Sequence, residues 1–185
     1  SWDTSLKDQA SNDPVAGSVW GACRDTIDRF LLRRHNERMS LNATIETMSS
    51  IGMWAMEIWP DVPHYFVIED TANGPDVIRA MRKKLTGVTP WAAKGDKEFR
   101  ARAASPALEG HNCFVPGEML PDGSGPGPNT PAAIQEFIEL CPKFGSGSPD
   151  DDIDAWSQAQ NYILSRGSST GTAHVVQGRT DLPRR

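Results

Sequence analysis

The sequence has no run of apolar residues approaching the roughly 18 uninterrupted positions of a membrane-spanning helix. Ser1-Trp2-Asp3-Thr4 lacks the basic start and apolar stretch of a secretory signal, so no membrane role is expected. Cysteine is scarce. Cys23, Cys113 and Cys141 are odd in number, far apart and outside any CxxC or Cys/His spacing. That pattern excludes a disulfide frame or zinc site and reads as small core residues in a reducing compartment. Positive charge is also short. A net charge of −5 argues against a protein that clings to nucleic acid by bulk electrostatics. It leaves room for an enzyme acting on nucleic acid, because a site for divalent cations needs several carboxylates close together. Also missing is a phosphate-cradling G-x-x-x-x-G-K-[ST] loop. The Gly/Pro-rich stretch Gly123 to Thr130 has no lysine, and no ATP hydrolysis is expected.

What is present is a single domain's length, 185 residues, enough for a hydrophobic core. Val15 to Ala22 and Arg29 to His35 have strand character around the polar Arg24-Asp25-Thr26, which predicts an antiparallel hairpin. From Leu41 the period changes: Leu41, Ile45, Met48, Gly52, Ala55 and Trp59 mark one helix face, ended by Pro60 and Pro63. Tyr65 to Ile68 reads as a buried strand. Asn73 is placed to cap a following helix, with Pro75 in its first turn and Val77, Ile78, Met81 and Leu85 inward. A strand over Val88 to Trp91, a helix over Asp96 to Leu108 and a strand over Cys113 to Val115 follow.

Pro116 to Asn129 reads as a loop or irregular hairpin. A short helix from Thr130-Pro131 buries Ile134, Phe137, Ile138 and Cys141. The last helix, near Pro149 to Leu164, turns Ile153, Trp156, Ala159 and Ile163 inward. This alternation implies an α/β sheet with parallel elements. If Trp2-Asp3 ends a first strand, of which the chain supplies little, the element order is close to a ribonuclease-H-like layout, a mixed sheet flanked by helices.

Three acidic positions stand out. Asp3 sits at a strand end, Glu69 follows the apolar run before it, and Asp150-Asp151-Asp152 heads the last helix. Acids at the carboxyl ends of strands in an open α/β sheet can converge, and such convergence can hold two hard cations for phosphodiester hydrolysis. Ordinary roles compete: solvation for Asp3, and helix capping for Asp150 to Asp152. Glu69 is hardest to explain that way, since a carboxylate ending a buried strand needs a partner.

Ser1-Trp2-Asp3-Thr4, Asn12-Asp13 and Val19-Trp20-Gly21 resemble the opening of the nuclease domain of the large terminase subunit of tailed double-stranded DNA phages. Ile68-Glu69-Asp70-Thr71-Ala72-Asn73-Gly74-Pro75 is similar to that family's second acidic motif. Lys94-Gly95-Asp96-Lys97-Glu98 with Arg100, Glu109-Gly110 and Val115-Pro116 continue the pattern. Asp150-Asp151-Asp152-Ile153-Asp154-Ala155 resembles the third motif. The likeness covers residues 1–165, leaving 166–185 as a tail or extension.

The resemblance implies a metal-dependent DNA endonuclease that cuts concatemeric viral DNA during packaging and leaves 5′-phosphate and 3′-hydroxyl ends. Asp3, Glu69 and Asp151 would be its catalytic trio, holding two Mg²⁺ or Mn²⁺ ions with Asp150 as a near neighbour. Asp151 is expected to be the ligand of the last helix, with Asp150 capping and Asp152 pointing away. Lys94, Lys97, Arg100 and Arg102 would form a cluster meeting DNA phosphates; an ordinary solvated helix face is the alternative.

The family often carries a His before the paired acids. Here that position is Pro149, so no such role carries over. Double-stranded DNA, a terminase ATPase domain, a small terminase subunit and a portal are the implied partners. The implied setting is the host cytoplasm and, transiently, the procapsid portal; the chain would be a fragment or separated domain of such a protein. Two further readings stay open: another ribonuclease-H-like nuclease, such as a junction resolvase or transposase-type enzyme, and a catalytically idle domain that docks to the portal or small terminase.

Overall fold

The computed structural model describes residues 1–4, 14–70, 74–144 and 151–167. Six strands form one sheet: β1 (Trp2–Asp3), β2 (Val15–Ala22), β3 (Arg29–Glu37), β4 (Phe66–Glu69), β5 (Val88–Trp91) and β6 (Cys113–Phe114). Their order is β5-β4-β1-β2-β3-β6. β1, β2 and β3 form an antiparallel meander, while β4 pairs parallel to β1 and β5 parallel to β4. Three leading antiparallel strands with two crossover strands added beside the first give the expected α/β, ribonuclease-H-like architecture. β6 closes the far edge, parallel to β3.

Helices cover both faces, so that each side of the sheet buries apolar surface. α1 (Leu41–Ile58) and α2 (Gly74–Met81) pack with Trp2, Val15, Phe66 and Ile68. On the opposite face α3 (Lys97–Ala104), α5 (Ala132–Leu140) and α6 (Asp151–Gly167) pack with Leu31. Gly17 serves the first layer. The Trp2 ring lies where a Cβ on Gly17 would project, and it reaches on to His35, with ring centroids 5.7 Å apart.

The strands and crossover helices lie close to expectation, with physically explicable departures. Leu41, expected inside α1, is exposed, and Thr44, Ser49 and Ile51 are buried in addition to the expected face. Tyr65 is exposed and outside β4, which begins at Phe66. The predicted helix over Asp96 to Leu108 is two. Asp96 caps α3, its carboxylate accepting from the Phe99 amide, and α4 (Pro106–Glu109) starts anew because Pro106 has no N–H to continue the ladder. Met119 bridges to Pro126 inside the expected irregular hairpin. Cys23 is exposed, not a core residue; Cys113 and Cys141 are half-buried. The proposed cap Asn73 lies outside the described residues, as do Pro149 and Asp150.

α6 departs most from its predicted amphipathic pattern. Ile153, Trp156 and Ala159 are buried as expected, but so are Asp152, Asp154, Ser157, Gln158 and Gln160. The helix is wedged between the sheet and α3, so its polar side also lies inside and must find partners there. Gln158 donates to the carbonyls of Trp2 and Val67 at 3.2 and 3.3 Å, and Gln160 accepts from Arg29 at 2.9 Å.

Candidate active site

Strand registers place the acids. Trp2 is level with Ile68 across the parallel β1–β4 pair, so the next residues, Asp3 and Glu69, are level too. Alternation turns both away from the Trp2/Ile68 face and toward the α6 side. The row extends in both directions: Glu69 is opposite Trp91, Asp3 opposite Ala16, and Ala16 opposite Asn36. Trp91, Glu69, Asp3, Ala16 and Asn36 thus form one line across five strands, at spacings of about 4.8 Å. Asp3 is only 4% exposed, whereas Glu69 is half-buried. Their all-oxygen donor chemistry suits a hard divalent cation.

α6 opens above this row. It runs antiparallel to β3: Asp152 meets Arg34 and Asn36 near the strand's end, and Gln160 meets Arg29 at its start. Its N-terminus therefore lies at the end of the sheet where Asp3 and Glu69 sit. Asp151, its first residue, is half-buried there. Successive helical residues diverge by about 100°, and the next acids go to different neighbours.

Asp152 does not point away, as the helix pattern predicted; it is buried against β3. Arg34 grips it with two prongs, Nε to Oδ1 at 3.0 Å and Nη2 to Oδ2 at 2.7 Å, and Asn36 donates a further hydrogen bond to Oδ2. Arg34 also donates to the Ala133 carbonyl and to Glu136, joining β3, α5 and α6. Burial pulls the Arg34 pKa down, but its bonds to Asp152 and Glu136 more than offset that and leave it raised.

Asp154 turns the other way, toward α3. Arg100 donates to its Oδ1 and Lys97 lies on its Oδ2, both at 2.8 Å. Two of the four cations expected to meet phosphates therefore have an internal partner. The Arg100 side chain is 12% exposed and also donates to the Gly95 carbonyl, so it is structural cement between α3 and α6. Lys97 remains half exposed, while Lys94 and Arg102 are exposed.

Among the described residues, no three or more His, Cys, Asp or Glu side chains assemble into a metal-holding group. Asp3 and Glu69 are brought side by side and Asp151 is brought to the same end of the sheet, while Asp150 lies outside the described residues. A cleft of about 420 Å³ opens on the other face, between β3 and α1, beside Arg33, His35, Glu46 and Ser50. The acidic row does not line it.

Sequence reasoning missed Arg34, Asn36 and the roles of Asp152 and Asp154. One signal was available: Arg34 and Asn36 are two polar residues two apart on a strand, hence on one face, which marks an inward polar patch.

Among the described residues no helix is long and apolar enough to cross a membrane. No family model matches this sequence, and none of the curated proteins does. Among solved structures the chain is similar to the nuclease domain of the large terminase of bacteriophage SPP1, determined with bound Mn. The identity is 12% and the TM-score 0.48, over 83% of this chain and 81% of that one.

Proposed function

We propose that this chain is a divalent-metal-dependent endodeoxyribonuclease, the nuclease domain of a phage large terminase, acting on double-stranded DNA during genome packaging. The observation that carries the reading is the level placement of Asp3 and Glu69 on adjacent parallel strands, beneath the N-terminus of α6. Asp3, Glu69 and Asp151 would hold two Mg²⁺ or Mn²⁺ ions, with Asp150, which precedes Asp151 in the sequence, as a further candidate ligand. When bound, such ions supply an activated water and stabilise the leaving oxygen.

The chain's own residues do the rest. The buried Asp3 fixes one side of the site, and Glu69, at the end of β4, faces the position where a phosphodiester would lie. The α6 N-terminus adds the partial positive charge of its unpaired amides near the developing negative charge. Lys94 and Arg102, exposed on the α3 side, would meet the DNA backbone, with sequence preference weak because phosphate contacts carry no base information. An ATPase domain, a small terminase subunit and a portal would be its partners, in the host cytoplasm and at the procapsid.

The test is nicking of supercoiled plasmid with Mn²⁺ or Mg²⁺, with chelator as control. Metal-dependent nicking that is lost in Glu69→Ala, with the fold intact by circular dichroism, supports the reading. Equal activity of variant and parent would sink it. The second reading is an idle docking domain. It predicts no nicking by the parent under any metal.

A further inference from the structure

On the reading of the acidic row as a metal site, we propose that Arg34 is its positioning residue. Acting through Asp152, it sets the depth and roll of the first turn of α6 and so presents Asp151 to Asp3 and Glu69. Asp152 is one residue from Asp151, and its carboxylate is held by a two-pronged guanidinium contact at 3.0 and 2.7 Å. Asn36, which adds a third bond, is in the same cross-strand line as Asp3, two strands away. The anchor of the helix and the acids beneath it therefore share one rigid line of the sheet.

The guanidinium and carboxylate side chains are only 7% and 4% exposed, so water offers little competition for the contact. Arg34 reaches α5 as well, through the Ala133 carbonyl and Glu136, which holds the guanidinium plane itself in place. On the other flank, Arg100 and Lys97 hold Asp154. Fixing two residues that diverge by about 200° around the axis leaves the first turn little freedom to roll. A fork of this geometry is not reproduced by lysine, which offers a point charge without the paired, planar donors. Groups that orient metal ligands from behind typically change metal affinity about 10- to 100-fold when altered.

The measurement is calorimetric titration of Mn²⁺ into the whole chain without DNA, beside thermal melting of each variant. Arg34→Lys should weaken Mn²⁺ binding about tenfold while still melting cooperatively. Asn36→Ala, which removes one of the three bonds and leaves both charges, should weaken it by about a third of that on a logarithmic scale. Arg79→Lys, at an exposed pair with Asp76, should bind as the parent does. A merely structural role for Arg34 would lower the melting midpoint and leave the affinity of the folded protein unchanged; parent-like affinity in Arg34→Lys and Asn36→Ala overturns the proposal. If Arg34→Lys does not fold, Asn36→Ala decides alone. Failure of the parent itself to bind Mn²⁺ instead overturns the metal reading, and the positioning role with it.

Discussion

Arg34 and Asp152, 118 residues apart in the chain, meet as fork and carboxylate in the interior, with Nη2 and Oδ2 at 2.7 Å. This contact joins the antiparallel half of the sheet to the helix whose first turn overlooks Asp3 and Glu69. Removing one partner strands a buried charge, which typically costs about 3–5 kcal/mol. Arg34→Ala should lower stability by about that amount in urea unfolding, and Asp152→Ala by less, because Glu136 still pairs with the guanidinium. Replacing both residues should cost less than the sum, because neither charge is then left alone. Additive losses would show that the pair is not coupled.

The cations of the α3 region should separate into two groups. Lys94→Ala and Arg102→Ala should leave thermal stability within about 0.5 kcal/mol of the parent, as exposed substitutions usually do. They should also weaken DNA binding and shallow its dependence on salt. Arg100→Ala should chiefly destabilise, since Asp154 loses its most buried counter-ion. Fluorescence anisotropy with labelled duplex, over a salt series, reads the first effect, and thermal melting reads the second. A large loss of affinity in Arg100→Ala at unchanged stability would return that residue to the DNA surface.

Much of the fold was legible because its elements are short apolar runs punctuated by Gly, Pro and Asn. β4 and the inward face of α2 follow from such local signals. β3 was legible as a strand but not in its irregularity. Its pairing with β2 slips between Val19 and Trp20, where Arg33 and Leu31 are the successive partners and Leu32 is left over. That bulge lets Leu31 and Arg29 face the same side as Arg34 and Asn36.

The acids at strand ends were also legible, since an apolar run followed by Glu69 is a local pattern. Which aspartate of Asp151, Asp152 and Asp154 is buried was not. The deciding partners, Arg34, Asn36 and Arg100, lie 54 to 118 residues away. Helical periodicity assumes one wet face, and α6 is covered on both the sheet side and the α3 side. The burial of Gln158 and Gln160 escaped for the same reason.

The cysteines should label in an order set by exposure and charge. Cys23 is exposed, and a hydrogen bond with Thr26, helped by backbone bonds, holds its pKa below the usual thiol value. Cys141 is pushed up to about 11, first by burial and then by the charge of Asp152. Only the thiolate reacts, so at pH 8 Cys23 should be alkylated first, with Cys141 protected until the protein unfolds. Mass spectrometry of iodoacetamide-treated protein resolves the order. Early labelling of Cys141 would mean that the region around Asp152 opens readily.

The placement of metal on the row of Asp3 and Glu69 is tested most directly by anomalous scattering from crystals soaked in Mn²⁺. The expected result is a strong anomalous peak within ligand distance of both the Asp3 and Glu69 carboxylates, at the mouth of α6, absent in crystals of Asp3→Asn. A soak in which Mn²⁺ occupies only other surface carboxylates, leaving that row empty, would contradict the account.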